Sequence, residues 1–450
     1  MNDILGAISD FVWGPPTLIL IVGTGIYLTL RLGFLQFKTL PYALKLAFSP
    51  KRQDKKSKGD ISHYQALSTA MAATIGTGNI VGVATAVVLG GPGAVFWMWI
   101  TAFFGMATKY AEALLAVKYR VENSKGEMSG GPMYYLENGL KQKWLGVLFA
   151  IFGACAAFGI GNMVQSNSVS DALNSSFNVP TWVTGLMLTG LAALVILGGI
   201  KSIGRVTAFF VPIMALFYVI GGLIIIIMNL DLVPAAVSLI FTDAFTASAL
   251  GGGILGTVIR YGVARGVFSN EAGLGSAPIA AAAAKTDYPG RQALVSMTQV
   301  FIDTIIVCSI TGITIVMADL AGSGLEGGPL TSASFAAFLG DAGGHIVTLG
   351  IVFFAFSTIV GWSYYGEKCF AYLFNDKAIP IYRVIFVAAI MFGAVQTLDV
   401  VWGISDIMNA LMAIPNLIGL LGLSGVVVYE TNKFLKVAKE EKEQEKAKAS

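Results

Sequence analysis

ATIGTGNIVG, Ala73 to Gly82, and GVFSNEAGLGSAP, Gly266 to Pro278, are the two stretches on which the reading of this chain turns. Each interrupts a long apolar run by mixing glycine with Thr, Asn, Ser or Glu. Glycine costs about 1 kcal/mol per helical site relative to alanine, and an unsatisfied amide in hydrocarbon costs more still. Such backbone survives at membrane depth only where it lines a protein or water cavity. Small-residue helix packing would also account for the first stretch, and a re-entrant cytoplasmic loop for the second. Their positions among the helices therefore carry the argument.

The composition around them is that of a membrane protein. Of 450 residues, 55% are hydrophobic and 12% charged, against roughly 25% charge in soluble domains. A soluble fold of this make-up would expose large apolar patches; a lipid-facing surface removes the conflict. A net charge of +3 does not call for nucleic acid, and nothing implies an obligate protein partner. Cys155, Cys308 and Cys369 are scattered through apolar runs, and His63 and His345 are the only histidines. Neither a disulfide framework nor a zinc or haem site follows. No nucleophile–base or metal-ligand spacing suggests an enzyme. Met1 to Trp13 holds no Lys or Arg, so the first apolar run reads as a retained helix and not a cleaved signal.

A span needs about 20 apolar residues. That window predicts an all-α polytopic protein with about eleven transmembrane helices: 15–30, 64–90, 93–117, 146–171, 181–199, 204–228, 250–284, 291–318, 345–371, 381–397 and 402–429. Basic residues favour cytoplasmic loops. Twenty-six of the 29 Lys and Arg fall in 31–58, 118–143, 201–205, 285–291, 368–383 and the tail, every second interval between spans. The intervening loops hold none. The alternation predicts a cell-membrane protein with its N-terminus outside and its C-terminus cytoplasmic. Residues 1–435 read as one transmembrane domain, and 436–450 as a charged, solvated cytoplasmic tail.

With the first helix set aside, the two polar stretches fall on core helices one and six of ten. Helices five apart start from opposite sides of the membrane, the mark of an inverted five-plus-five repeat with its site at the interface. The first repeat is expected over about 64–228 and the second over about 250–429. A break in each of core helices one and six exposes half-helix N-termini that attract a carboxylate and carbonyl ends that attract a cation.

Three runs also resemble a known family. GGPGAVFWMWITAFFG (Gly90 to Gly105), SGGPMYYLENG (Ser129 to Gly139) and FSNEAGLGSAP (Phe268 to Pro278) are similar to motifs of the alanine or glycine:cation symporters, and the likeness covers nearly the whole chain. That family resembles, more distantly, the sodium symporters with the leucine-transporter fold. The resemblance implies that the amides of Thr77 and Gly78 receive a substrate carboxylate, with Asn79 nearby. It implies a sodium ion at the carbonyls of Ala72, Ile75 and Phe354 and the hydroxyls of Ser357 and Thr358; hydroxyls bonded back to their own helix are the alternative. Carbonyls of Phe268 and Ser269 would face the substrate amine, with Asn270 and Glu271 close by. Glu271 could instead pair with Arg260 or Arg265. Gln165, three residues from Asn162 on one helix face, is a candidate pocket contact or an inter-helix bond. Trp362 would crowd the substrate side chain and favour alanine and glycine over leucine; a lipid-interface Trp is the alternative. Lys109, Glu112 and Asp303 read as structural pairs or gates.

The expected function is sodium-coupled symport of a small neutral amino acid, alanine and glycine, with sodium as the co-transported ion and the bilayer as surroundings. The alternative is a proton-coupled transporter of the same fold. Relatives of that kind often carry a Lys on core helix five, which here reads GRVTAFFVPIMALFYVIGG and has only Arg205 at its mouth.

Overall fold

The structure is a computed structural model that describes residues 2–49, 56–245, 256–396 and 399–449. The start of the expected second repeat near residue 250, and Lys51, Arg52 and Lys55 of the first basic loop, lie outside the described residues. Helices α1 (Asn2–Val12), α2 (Pro15–Arg31) and α3 (Leu35–Phe48) lead into α4 (His63–Thr74), a tight turn at Thr77–Asn79 and α5 (Val81–Gly90). Next come α6 (Ala94–Lys118), a small hairpin of β1 (Val121–Glu122) and β2 (Met128–Ser129), and α7 (Pro132–Asn138). Helices α8 (Lys143–Phe177), α9 (Thr181–Ile196), α10 (Gly199–Met228) and α11 (Val233–Asp243) follow. The remainder is α12 (Thr257–Asn270), α13 (Pro278–Ala282), α14 (Pro289–Ala318), α15 (Gly327–Leu339), α16 (Asp341–Phe374), α17 (Ile379–Val395), α18 (Asp399–Gly422) and α19 (Ser424–Ala449).

Among the described residues, seven helices are long and apolar enough to cross a membrane, or eight if α2 and α3, bent by 84°, form one span. The sequence suggests eleven. The difference arises mainly at 64–90 and 250–284, where each run is divided into short helices, and at α9, whose 16 residues fall short of the ~20 that a perpendicular span needs. Five stretches expected as loops contain helix: Asn2–Val12, Leu35–Phe48, Pro132–Asn138, Val233–Asp243 and Gly327–Leu339. Each is shorter than the window that finds a span, so a hydropathy scan passes over it.

Lipid exposure follows from the packing. Phe209, Leu216, Ile220 and Ile227 all face outward along α10, an apolar stripe that only a lipid environment suits. Inside, α6 packs against α12 and α14, and α16 packs against α4 and α8. The charged tail continues as the docked helix α19. Glu430 bonds Lys118 at 2.6 Å, Phe434 is fully buried, and Glu441 bonds Arg291 at 2.6 Å.

Candidate functional site

The first break begins where α4 runs out. Ser62 and Gln65 cap its start reciprocally, and its end at Thr74 passes into extended backbone at Gly76. Gly76 N turns away from the helix and donates to Asn79 Oδ1 at 2.9 Å, while Asn79 N bonds Gly76 O at 3.2 Å. The Ala72 and Ile75 carbonyls thereby lose the amides that a continuous helix would give them. Ser357 Oγ on α16 lies 3.1 Å from Ala72 O, 3.4 Å from Ile75 O and 2.8 Å from Phe354 O. Thr358 Oγ1 donates to Phe354 O at 2.9 Å. The five residues named for sodium thus meet as a cluster of neutral oxygens, the donor type that a hard cation takes. The hydroxyls also bond back to their own helix, which is the alternative left open by the sequence. A Cβ on Gly76 would sit 2.5 Å from Thr358 Oγ1; glycine lets α16 come this close.

The second break follows α12. Glu271 and Gly273 and Gly275 all adopt positive φ, of 55°, 96° and 85°, which glycine tolerates and which unwinds the chain at once. Glu112 holds the unwound loop by accepting from Gly273 N at 3.0 Å, Gly275 N at 3.1 Å and Asn416 Nδ2 at 2.7 Å. Lys109 pairs with Glu112 at 3.7 Å and donates to Glu271 O at 2.9 Å. Neither Arg260 nor Arg265 pairs with Glu271. Its carboxylate accepts from Trp362 Nε1 at 3.0 Å and Ser276 Oγ at 2.5 Å, which fixes the indole edge-on.

Between the two breaks lies an inner cavity of about 20 Å³, room for about one water, so an amino acid enters only when a wall moves. Thr77, Gly78, Gln165, Phe268, Glu271, Thr358 and Trp362 line it, together with Ile160 and Asn409. Trp362 is buried there, away from any lipid interface. Gln165 is both a cavity wall and an inter-helix tie: Nε2 donates to Thr77 Oγ1 at 3.2 Å and to Ile160 O at 2.9 Å, and Oε1 accepts from Thr77 N at 3.4 Å. A π-helical turn at Gly159–Met163 frees the Ile160 carbonyl for this bond. The same turn rotates Asn162 off the Gln165 face, and Asn162 donates to Phe386 O at 2.7 Å.

Asn79, Ser269 and Asn270, which the resemblance puts at or near the substrate, are not among the residues that line this cavity, and their side chains bond to other partners. Asn79 Nδ2 donates to Asp303 Oδ1 at 2.7 Å, Ser269 Oγ to Asp303 Oδ2 at 2.9 Å, and Asn270 Nδ2 to Thr304 Oγ1 at 3.3 Å. Asp303 sits on a second π-helical stretch, Phe301–Cys308, and ties the two breaks together. It is a hub, and no ion pair to it is present among the described residues.

On one side of Phe268 and Thr77 a vestibule of 460 Å³ opens, lined also by Ser9, Val81, Thr85, Arg265 and Asp406. Elsewhere, the segments that flank α4, α6 and α13 are tied together. Ile61 bridges Ala284, and Arg120 donates to the carbonyls of Ala282 at 2.9 Å, Ala284 at 2.7 Å and Lys58 at 2.8 Å.

Broken helices around a small polar cavity, inside a lipid-facing helical bundle, define a polytopic membrane transporter and not an enzyme. The comparisons give it a family. The sodium:alanine symporter family model matches residues 1–449, and the chain belongs to that family. It is 62% identical to the sodium/alanine symporter AgcS of Methanococcus maripaludis over 447 residues, 98% of each chain. It is 39% identical to the probable sodium/glutamine symporter GlnT of Bacillus subtilis over 430 residues, 95% of this chain and 89% of that one. Among solved structures, MhsT in complex with L-phenylalanine aligns with a TM-score of 0.61 at 14% identity, over 83% of this chain and 93% of that one. This last likeness concerns the fold alone.

Proposed function

We propose that the chain carries alanine, and glycine, into the cell by symport with sodium through alternating access. The observation that carries this reading is the meeting of Ala72, Ile75, Phe354, Ser357 and Thr358 oxygens at the same break that offers Thr77 and Gly78 to the inner cavity. Sodium is cargo there, bound by neutral oxygens. Its charge sits next to the segment whose amides take the substrate carboxylate, so each ligand stabilises the backbone that the other needs. Trp362, held by Glu271, closes the side-chain end and leaves room for a hydrogen or a methyl group. Family membership and the 62% identity to a sodium/alanine symporter support the choice of cargo.

In this reading the ten predicted spans from 64–90 to 402–429 form the inverted five-plus-five core, with the N-terminus outside. The vestibule then faces the outside, and Arg120 seals the cytoplasmic end. Uptake follows when Phe268 moves to admit substrate and the Ile61–Ala284 bridge later opens. Purified protein in liposomes tests it. Alanine uptake is expected with an inward sodium gradient and to disappear in choline. Equal uptake in the two, or uptake that follows an imposed proton gradient in choline, would replace this reading with the proton-coupled one.

A further inference from the structure

Buried polar atoms are nearly always bonded, and an exception calls for an explanation. Asn409 on α18 is such an exception. It is 2% exposed, lies on the wall of the inner cavity, and its Oδ1 is buried without a hydrogen-bond partner. The other polar side chains on that wall are occupied. Both oxygens of Glu271 accept bonds from Trp362 and Ser276, Gln165 is engaged at both ends, and the Thr358 hydroxyl is given to Phe354 O.

A zwitterion brings two demands to this space. Its carboxylate takes donors, and the Gly78 amide supplies one, joined by the Thr77 amide when it exchanges its bond to Gln165 Oε1 for the substrate. Its ammonium has three donors and no acceptor, so it needs an oxygen that is not already committed. We infer that Asn409 is a substrate-contacting residue whose Oδ1 accepts a hydrogen bond from the ammonium group of the bound amino acid. The inference rests on the reading of this cavity as an amino-acid site. It explains why a buried carbonyl stays unpaired in the contracted cavity: the substrate is its partner. An amide suits the task because it accepts without adding a charge beside Glu271. The residue escapes a sequence reading because no break lies beside Asn409 and its unpaired oxygen is visible only in three dimensions.

The test is calorimetric binding of alanine to the purified full chain at saturating sodium, with Asn409→Leu and Asn409→Asp as variants. Leucine keeps the volume and removes the acceptor; alanine should bind about tenfold more weakly or worse, the loss of one bond to a charged group. Aspartate accepts and cannot donate, so it should bind alanine within threefold of the unmodified protein or more tightly. Sodium binding without alanine should stay within twofold in both variants, which reports an intact fold. Unchanged alanine affinity in Asn409→Leu overturns the inference. So does an equal loss in both variants, which would mean packing or donation to the carboxylate. If Asn409→Leu fails to bind sodium, Asn409→Asp decides alone: retained alanine binding supports the contact, and weakened binding overturns it. Absence of alanine binding by the unmodified protein would overturn the amino-acid reading itself.

Discussion

Replacing Gly76 by alanine puts the geometry of the first break under direct strain. The added methyl would lie 2.5 Å from Thr358 Oγ1 and 3.5 Å from Gln165 Oε1. Thr358 must turn, giving up its 2.9 Å bond to Phe354 O, or the break must shift by roughly half an ångström. An off-rotamer side chain costs about 0.5–1.5 kcal/mol, so the sodium-free protein should lose stability by that amount. With sodium the cost is larger, because the displaced hydroxyl leaves the ion one oxygen short. A bond to a charged group is worth about 1.5–3 kcal/mol, and sodium affinity should fall about ten- to a hundredfold. Gly82→Ala is the control on the same broken helix, since nothing lies within 4 Å of the added carbon. Thermal unfolding in detergent over a sodium series reads both effects, because an ion that binds only the folded state raises the midpoint with its concentration. A Gly76→Ala protein whose sodium dependence stays within twofold of the unmodified one would refute the reasoning.

Trp362→Ala should admit leucine or valine as competitors while weakening alanine, with a several-fold swing at ~0.8 kcal/mol per accommodated methylene; unchanged leucine competition in uptake would clear Trp362 of walling the pocket. Thr358→Ala should lose sodium affinity first, and its alanine affinity should return at high sodium. Asn79→Ala removes both the cap on Gly76 N and the Asp303 tie, so its loss of alanine binding should persist at any sodium concentration; full recovery would show that the hub does not shape the break. Arg120→Ala frees three carbonyls at the end that Arg120 is proposed to seal, and a cysteine placed at Thr74 should then react faster with a membrane-impermeant thiol reagent applied from that side. No change in reactivity would mean that Arg120 does not hold the path closed.

How much of this was legible depends on what made each feature visible. The two breaks stand out in the sequence because glycine and hydroxyl residues are expensive in hydrocarbon. Ser357 and Thr358 follow once the first break is paired with core helix eight through the family resemblance. Asp303 reads only as a buried charge; its role as a tie between Asn79 and Ser269 depends on a π-helical stretch that no periodicity announces. The Asn162–Gln165 face fails for the same reason, since one extra residue per turn rotates the two side chains apart. Short helices such as Leu35–Phe48 escape a window tuned to 20 residues. From sequence Glu271 reads as a partner for either substrate or arginine, and only three-dimensional packing brings Trp362 and Ser276 to it. Asn409 leaves no local trace at all, because its significance is an absent partner.

Sodium and substrate, as proposed, share one unwound segment, Ile75 to Asn79, and so must reinforce each other. Reciprocal titration calorimetry measures this directly: alanine affinity across a sodium series, and sodium affinity with and without saturating alanine. Linkage requires the two enhancement factors to be equal, and a shared segment predicts a coupling of about 1–3 kcal/mol, or roughly five- to 150-fold. Sodium and alanine affinities that are each independent of the other ligand would contradict the account, even in a protein whose transport depends on sodium.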